Sequence, residues 1–525
     1  MSITPVISII SIFVITLASQ NDAYRILAIF PLHSRSHHMI CHALVEVLAD
    51  RGHQLDVVTV YPVKKTLKNH KVILDLQKVV NSTINQFTIK LASKIARNTI
   101  PIQTTLYGND LCEYLGLPEL QEVMKNPPQD PPYDLVIIEA FMSDCFVGVG
   151  YALNVPVIKV SPQIIYPWLE TSVGQLQYPA FVPSRNTIYR HPMSFFTRVL
   201  NTIQNHYSQM LFHYYTDTVQ NGQMRKYIDP NIPSIEELEK IVALVLVNSW
   251  PSLSGIQPTT PAIIPVGGLH IETNYVPLSE ELERWMNEST SGVIYFTLGS
   301  MVNIETFPET TIRRFYTVFK QIAPVRVLMK VANKTALLPG LPDNVRTSSW
   351  IPQMAVLAHK NTKVFMTHGG LMSTLEAITF GVPLIGIPLW GDQFMNIANG
   401  QSLGFALMLN CEDPSEESIS WAVNEILYNP TYREAAKQHS IKFLDRPMGP
   451  KETAVYWVEY AIRHGPEALR SPACDMTWWQ VALLDVYGFL SICILIVVYI
   501  IIRIAKALLS ALFRSKKHVK LTKSD

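Results

Sequence analysis

The stretch 364–393 constrains the fold of this chain more than any other part of the sequence. Residues 364–366 form a short apolar run that predicts a buried strand, and a glycine-rich turn, 367–370, follows it. Helical spacing then runs over 371–380, and a second strand is predicted over 383–388. A strand, a glycine turn, a helix and another strand in this order are typical of an α/β protein with a parallel sheet.

The turn and the start of the helix have the properties of an anion site. Gly369 and Gly370 let the backbone approach a ligand closely, and the first turn of a helix offers free N–H groups and the positive end of its dipole. Ser373 can add a hydroxyl and His368 an imidazole at the same place. The pattern therefore predicts a phosphate-binding site.

Residues beyond this turn are suited to sugars. Glu376, one turn into the helix, can accept hydrogen bonds from a diol such as ribose. Asp392 and Gln393 follow the second strand, and a carboxylate beside an amide suits the hydroxyls of a hexose. Phosphate, ribose and sugar each have a candidate partner, so we expect a nucleotide-sugar site.

The whole segment resembles the signature of the UDP-glycosyltransferases, the family of animal UDP-glucuronosyltransferases and of plant and insect glucosyltransferases. The positions that match its pattern are Thr367, His368, Gly370, Ser373, Glu376, Pro383, Pro388, Asp392 and Gln393. Further matches lie at 267–270, 296–300, 350–353 and 445–489, and they look most like the insect branch. The resemblance implies a GT-B fold: two doubly wound, Rossmann-like α/β domains facing a cleft, plus one C-terminal transmembrane helix.

Length and local patterns predict how the chain is divided. With 525 residues it is too long for one compact core. A strand over 24–30, a polar loop over 31–38 and a helix over 39–50 begin the first α/β half, and a linker is expected near 250–290. With the resemblance, the predicted regions are a signal peptide (1–23), an N-terminal acceptor-binding domain (24–250), a C-terminal UDP-sugar-binding domain (251–480), a transmembrane helix (483–503) and a basic cytosolic tail (504–525).

The resemblance also indicates which residues would catalyse glycosyl transfer. His37, in the pair Ser36-His37, matches the family's catalytic histidine, and an imidazole can take a proton from an attacking hydroxyl near neutral pH. A carboxylate should orient this base. Relatives have an aspartate where this chain has Glu139, and Asp144 lies a few residues further on, so both remain candidates.

The other donor-side candidates follow from the same resemblance. Trp350 would stack on uracil, and Gln353 would help to read the edge of the base. Ser300 would join the glycine turn in stabilising the leaving phosphate. Because no Asp-x-Asp motif stands near these residues, we expect no metal and no cofactor beyond the UDP-sugar co-substrate.

Two departures from the family pattern bear on the sugar. Met372 stands where many relatives have a phosphate-contacting asparagine, and Val247 stands where vertebrate glucuronosyltransferases have an arginine thought to meet the glucuronate carboxylate. A buried carboxylate without a cation is costly. UDP-glucose is therefore the expected donor rather than UDP-glucuronate.

The expected activity is an inverting, metal-independent transfer of glucose to hydroxyl groups of small lipophilic acceptors. The resemblance places the acceptor pocket in the aromatic-rich, irregular and helical region 163–230. A UDP-glucuronosyltransferase, a dedicated lipid glycosyltransferase and a non-catalytic relative that binds lipophiles are the alternatives. Assembly into a homo-oligomer stays open.

Apolar segments at both ends predict a membrane protein. Residues 3–18 have the length of a signal peptide, and 486–502 carry no charge. The tail from Arg503 to Asp525 holds seven Lys/Arg and one acid, which marks the cytosolic side. We expect a single-pass type I protein of the endoplasmic reticulum, with a lumenal body and membrane lipid as a partner. The rest of the chain has 36 basic and 41 acidic residues, which argues against nucleic-acid binding.

Cysteines and sequons add two further expectations. The six cysteines show no C-x-x-C spacing, which argues against zinc or redox chemistry. Buried thiols are the favoured interpretation of those outside the apolar span, and a disulfide is the alternative that a lumenal location permits. The candidate glycosylation sites are Asn81, Asn287 and Asn333.

Overall fold

A computed structural model describes residues 23–521, apart from 64–66, 81–82, 98, 186, 191 and 273. The predicted signal peptide, apart from Ala23, and the sequon at Asn81 lie outside the described residues. The described chain forms two compact units, one ending at Arg470 and the other beginning at Ser471.

The first unit contains two open parallel β-sheets, one from each half of the chain. The strands of the first sheet are β1 (Arg25–Phe30), β2 (Gln54–Thr59), β3 (His70–Asp75), β4 (Leu135–Glu139), β5 (Val157–Ser161), β6 (Val242–Val247) and β7 (Ile263–Pro265). The strands of the second are β8 (Val293–Thr297), β9 (Arg326–Lys330), β10 (Val345–Ser348), β11 (Thr362–Thr367), β12 (Leu384–Gly386) and β13 (Ala406–Met408). Their central strands are continuous buried runs, as expected where helices cover both faces.

The strand order of each sheet determines where a ligand can bind. The first sheet runs β3-β2-β1-β4-β5-β6-β7 and the second β10-β9-β8-β11-β12-β13. The order reverses between β1 and β4 and again between β8 and β11. In doubly wound sheets this switch point opens a crevice beyond the carboxyl ends of the strands. The predicted pair of Rossmann-like halves is confirmed.

Both units of the described chain contain helices. Those of eight residues or more in the described chain are α1 (Arg35–Arg51), α2 (Ile89–Arg97), α3 (Pro118–Lys125), α4 (Phe195–Tyr227), α5 (Glu280–Glu288), α6 (Glu309–Gln321), α7 (Leu371–Thr379), α8 (Gln393–Ser402), α9 (Glu416–Tyr428), α10 (Pro430–Leu444), α11 (Pro450–His464) and α12 (Leu484–Leu521).

Helix α1 begins four residues earlier than predicted. The polar run after β1 was expected to be a loop, but Ser34 is the N-cap, in an extended conformation, and Arg35 to His38 form the first helical turn. Arg35, Ser36 and His37 of this turn line a cavity, so the turn shows no apolar pattern that would predict a helix. His37 therefore lies at a helix start rather than in a loop.

The predicted linker near 250–290 was wrong in part. Strand β7 pairs in parallel with β6 and extends the first sheet into that range. It has only three residues and ends in Pro265, too short a run to give a period-2 signal. Edge strand β3 was missed as well, since its partly exposed residues interrupt the apolar pattern.

Two of the cysteines form a disulfide, so the expectation of buried thiols was wrong for them. Cys112 and Cys145 are bonded, with their Cα atoms 6.0 Å apart. Both lie in short helical turns that the fold brings together across 33 residues of sequence. Cys41 is a free, buried thiol, as expected.

The second unit consists mainly of α12. Its residues Leu484–Phe513 are long and apolar enough to cross a membrane, judged by length and composition. This span is longer than the predicted 483–503, because the helix and its apolar side chains continue past Arg503.

Candidate active site

A cavity of about 490 Å³ lies at the carboxyl ends of the central strands of both sheets. Its wall includes residues that follow β1 and β4 in the first sheet and β8 and β11 in the second. The cavity is therefore located at both switch points, as the strand orders require.

His37 and Glu139 are in contact where the N-terminal half of the chain borders this cavity. His37 Nδ1 lies 2.8 Å from Glu139 Oε1, and Glu139, the last residue of β4, is 2% exposed. A carboxylate accepts the Nδ1 proton and so fixes the neutral tautomer with Nε2 as the basic nitrogen. The edge of the Phe141 ring packs against the imidazole, with the ring centres 5.2 Å apart.

Asp144, the other candidate partner of His37, is paired elsewhere. Lys159, fully buried on β5, donates to Asp144 Oδ1 over 3.0 Å, and Glu239 Oε1 lies 3.6 Å from the same ammonium. Burial raises the pKa of the Glu239 carboxyl to about 7. This charged cluster contributes to the structure of the N-terminal half, and only Glu139 is brought to the imidazole.

The glycine turn after β11 packs closely on His368. Gly370 is the N-cap of α7, and a Cβ there would lie 2.7 Å from His368 Nε2. Gly299, with φ +82°, would place a Cβ 2.8 Å from Cε1 of the same ring. Burial, with a smaller effect from Lys330, lowers the pKa of His368 to about 4. The imidazole is therefore neutral at pH 7 beside the helix N-terminus. Ser300 follows this Gly299 on the cavity wall.

Glu376 is the centre of a buried polar network. Gln353 Nε2 donates to Glu376 Oε2 over 2.7 Å and to Ser373 Oγ over 3.1 Å. Tyr295 donates its hydroxyl to Gln353 Oε1 over 3.2 Å, and His270 Nε2 lies 3.3 Å from Glu376 Oε1. These contacts hold the carboxylate and the amide at the cavity wall, and the sequence had not indicated Tyr295 or His270 as part of the site.

Asp392 and Gln393 begin α8. Asp392 Oδ2 accepts from Asn396 Nδ2 over 3.0 Å, and burial raises the pKa of this carboxyl. Gln393 Oε1 accepts from the backbone N–H of Leu389 over 2.8 Å and of Trp390 over 3.2 Å. The Gln393 amide group thus keeps its NH₂ for a ligand.

Trp350 lies at the cavity edge with 52% of its surface exposed. The guanidinium of Arg35, from the first turn of α1, lies 4.7 Å from the centre of its ring. No sequence signal had indicated Arg35, because the contact joins the two halves of the chain.

The two departures from the family pattern lie close to each other. Val247 is buried in β6, and the next residue, Asn248, places Nδ2 3.1 Å from Met372 Sδ. Asn248 also donates to Pro162 O and accepts from the N–H of Gly268. Neither Val247 nor Met372 brings a cation to the wall.

Two of the three sequons are described. Asn287, near the end of α5, and Asn333, the N-cap of a short 3₁₀ turn, are both exposed. Their position is compatible with glycosylation, which stays a prediction.

The sequence is similar to glycosyltransferases over nearly its whole length. A family model described as "UDP-glucoronosyl and UDP-glucosyl transferase" matches residues 25–519. UDP-glucosyltransferase 2 of Dactylopius coccus is 34% identical, over 98% of this chain and 99% of the relative. UDP-glucuronosyltransferase 2B17 of Mus musculus is 30% identical, over 87% of this chain and 88% of the relative.

Solved structures confirm the fold. A Phytolacca americana glycosyltransferase, UGT2, complexed with UDP-2-fluoro-glucose and pterostilbene, covers 84% of this chain and 100% of its own, with a TM-score of 0.55 and 18% identity. The glycosyltransferase VinC in complex with DTDP also covers 84% of this chain and 100% of its own, with a TM-score of 0.56 and 18% identity. Together with the two parallel sheets, these similarities confirm the expected GT-B fold.

Proposed function

The chain belongs to the UDP-glucuronosyl and UDP-glucosyl transferase family, and we propose that it transfers glucose, with inversion, from UDP-glucose to a hydroxyl of a small lipophilic acceptor. One observation carries the proposal. His37, which Glu139 holds from behind, and Gly370 at the N-terminus of α7 line the same cavity, so an acceptor base and an anion site face one reaction space.

The base would act through Nε2 of His37. It takes the proton of the acceptor hydroxyl while that oxygen bonds to the anomeric carbon of the sugar, and the bond from this carbon to the UDP oxygen breaks. Glu139 holds Nδ1–H and stabilises the imidazolium that forms. A single displacement of this kind inverts the anomeric configuration.

The leaving UDP would be stabilised by fixed dipoles. The N-terminus of α7 offers free N–H groups beside Gly370, and Ser300 and Ser373 supply hydroxyls on the same wall. The proposed reaction needs no metal ion, because these fixed N–H dipoles and hydroxyls can take up the charge that develops on the leaving phosphate.

A neutral sugar fits the charges of the wall better than glucuronate. Two Lys or Arg side chains among the described residues line it, Arg35 and Lys330, and both have other contacts. Arg35 lies on Trp350, and Lys330 Nζ donates to Asn85 Oδ1 and to Gly299 O. A sugar carboxylate would have to displace one of these contacts to gain a cationic partner, whereas a neutral sugar need not.

The side of the cavity around His37 is apolar and aromatic. Phe141 lies with its ring centre 6.4 Å from that of Tyr107 and 6.2 Å from that of Tyr166. Flat rings next to the base favour a lipophilic acceptor with a hydroxyl group.

We further propose the endoplasmic reticulum membrane as the location, with the first unit in the lumen. The apolar span of α12 supports a single-pass protein, and the Cys112–Cys145 disulfide supports an oxidising compartment.

The test uses microsomes that contain the full chain, a simple phenol, and UDP-glucose, UDP-glucuronate or UDP-galactose in parallel. We expect fastest transfer from UDP-glucose, unchanged by EDTA and lost in His37→Ala. Preference for UDP-glucuronate would contradict the assignment of glucose as the sugar. Inactivation by EDTA would contradict the metal independence. An active His37→Ala variant would contradict the role of His37 as the base.

A further inference from the structure

A segment of the N-terminal half packs against the C-terminal half. Residues 84–92, here called the strap, precede and begin α2. Ile89 is 6% exposed and Ala92 fully buried, and both pack into the core of the second sheet rather than the first. Apart from Ile84, which packs on the core of the first sheet, the strap thus packs on the half that carries the donor-side candidates.

Hydrogen bonds join the strap to the loop after β8. Asn85 N donates to Ser300 O and Phe87 N donates to Met301 O, each over 2.9 Å. Asn303 N donates to Phe87 O over 3.0 Å, so both the N–H and the C=O of Phe87 are hydrogen-bonded to this loop. The loop that carries Ser300 therefore has its backbone fixed by the other half of the protein.

The conformation of Asn85 indicates that this contact is specific. Its φ is +54°, a left-handed conformation that costs energy for any residue with a Cβ and that asparagine tolerates better than most. Its Oδ1 accepts from Lys330 Nζ over 2.8 Å, and its carbonyl accepts from Asn303 Nδ2 over 2.9 Å. These bonds hold the strap in one register on the donor side.

In this register the Phe87 ring lies near the residues expected to bind the sugar. The ring centres of Phe87 and Trp390 lie 5.9 Å apart, and both residues line the cavity. Trp390 is separated by one glycine from Asp392 and Gln393. An aromatic pair from two different halves thus adjoins the carboxylate and amide expected to meet sugar hydroxyls.

We propose that Phe87 is a specificity-determining residue of the donor-sugar subsite. The apolar C–H face of the hexose packs on the Phe87–Trp390 pair while its hydroxyls meet Asp392 and Gln393. An aromatic wall at this place disfavours a sugar that carries a carboxylate, since the two rings offer the charge no hydrogen bond in place of the water that it loses. The N-terminal half thereby takes part in donor selection. The inference rests on the proposed hexose donor.

The test compares UDP-sugar with UDP in the full membrane-bound chain. UDP lacks the sugar, so its inhibition constant reports only on the nucleotide part of the site. We expect Phe87→Ala to raise the KM for UDP-glucose roughly tenfold, in line with the loss of one aromatic contact. The UDP inhibition constant should stay within about twofold of wild type, and the preference for UDP-glucose over UDP-glucuronate should narrow. Phe87→Tyr, which keeps the ring, should restore the wild-type KM.

The matched control is Leu91→Ala, an exposed apolar residue of the same strap that does not line the cavity. It should change neither constant. The inference is overturned if Phe87→Ala leaves the KM for UDP-glucose unchanged. It is also overturned if the KM and the UDP inhibition constant rise together, which would mean that the strap only supports the nucleotide loop. If the wild-type chain prefers UDP-glucuronate, the glucose donor and the exclusion of a charged sugar by Phe87 both fail. The packing of Phe87 on the sugar is then tested separately: Phe87→Ala must raise the KM for UDP-glucuronate and leave the UDP inhibition constant unchanged.

Discussion

At His37, the position of the partner carboxylate matters more than the length of its side chain. Glu139 extends from the end of β4 and reaches Nδ1 at 2.8 Å, although the family pattern noted in the sequence analysis implies the shorter aspartate. The carboxylate is buried, so its attraction for an imidazolium is weakly screened by water. Its other oxygen, Oε2, has no hydrogen-bond partner among the described residues, which leaves most of the charge to His37.

We predict that Glu139→Gln lowers kcat by about 10²–10⁴-fold, the usual contribution of general acid–base catalysis. The amide keeps the shape but not the charge that stabilises the imidazolium, and the affinity for UDP should not change. Initial rates and equilibrium UDP binding measure the two effects. Asp144→Asn is the control: it weakens the pair with Lys159 and should lower the unfolding temperature with little effect on kcat. Near-normal turnover in Glu139→Gln would show that the pair has no catalytic role.

The sequence could indicate single residues only where a motif specifies them. Trp350, His368 and Glu376 all lie on the cavity wall as the family pattern implied. The sequence left both Glu139 and Asp144 as candidates, because Glu139 ends β4 and Asp144 follows it closely, and only the fold shows which side chain reaches the imidazole. Arg35 could not be found, because its partner Trp350 is more than 300 residues away in the sequence.

Helix α4 shows why the spacing of apolar residues does not predict every helix. It spans Phe195–Tyr227, in a region predicted only as irregular and helical. Most of its buried residues are polar: Asn201, Asn205, Ser208, Thr216 and Gln220. An apolar stripe is the signal that identifies an amphipathic helix, and on α4 the stripe toward the core is polar. The helix is specified instead by hydrogen bonds that only the folded chain supplies.

Among the residues of α4, Gln220 should contribute most to the free energy of unfolding. Its Oε1 accepts from the N–H of Asp144 and of Cys145, and its Nε2 donates to Met142 O over 2.7 Å. Gln220→Ala leaves these buried backbone groups without partners, each worth about 1–3 kcal/mol. We predict a fall of several degrees in the unfolding temperature measured by fluorescence. Thr218→Ala, exposed on the same helix, is the control and should have no effect. An equal fall in both variants would contradict the argument.

At the scale of the whole molecule, the site arises because two sheets share one cavity. The βαβ pattern predicts a parallel sheet in each half, and the strand order observed in each sheet places its switch point at the cavity. The way the halves meet could not be predicted. The strap packs on the second half through backbone hydrogen bonds to Ser300 and Met301. Backbone hydrogen bonds do not depend on side-chain type, so the pattern of side chains in the sequence does not predict them.

All residues that line the cavity precede Arg470, in the first unit, and the apolar span lies entirely in the second. We predict that a chain ending at Arg470 leaves the membrane fraction and binds UDP within about twofold of the full chain. The physical reason is that the span contributes the apolar surface that lipid would cover, while both sheets and their shared cavity are retained. Sedimentation after alkaline extraction and UDP titration give the two readings. A chain that lacks only 514–525 is the control and should stay in the membrane. Loss of UDP binding on truncation at Arg470 would show that the second unit is needed for the donor site.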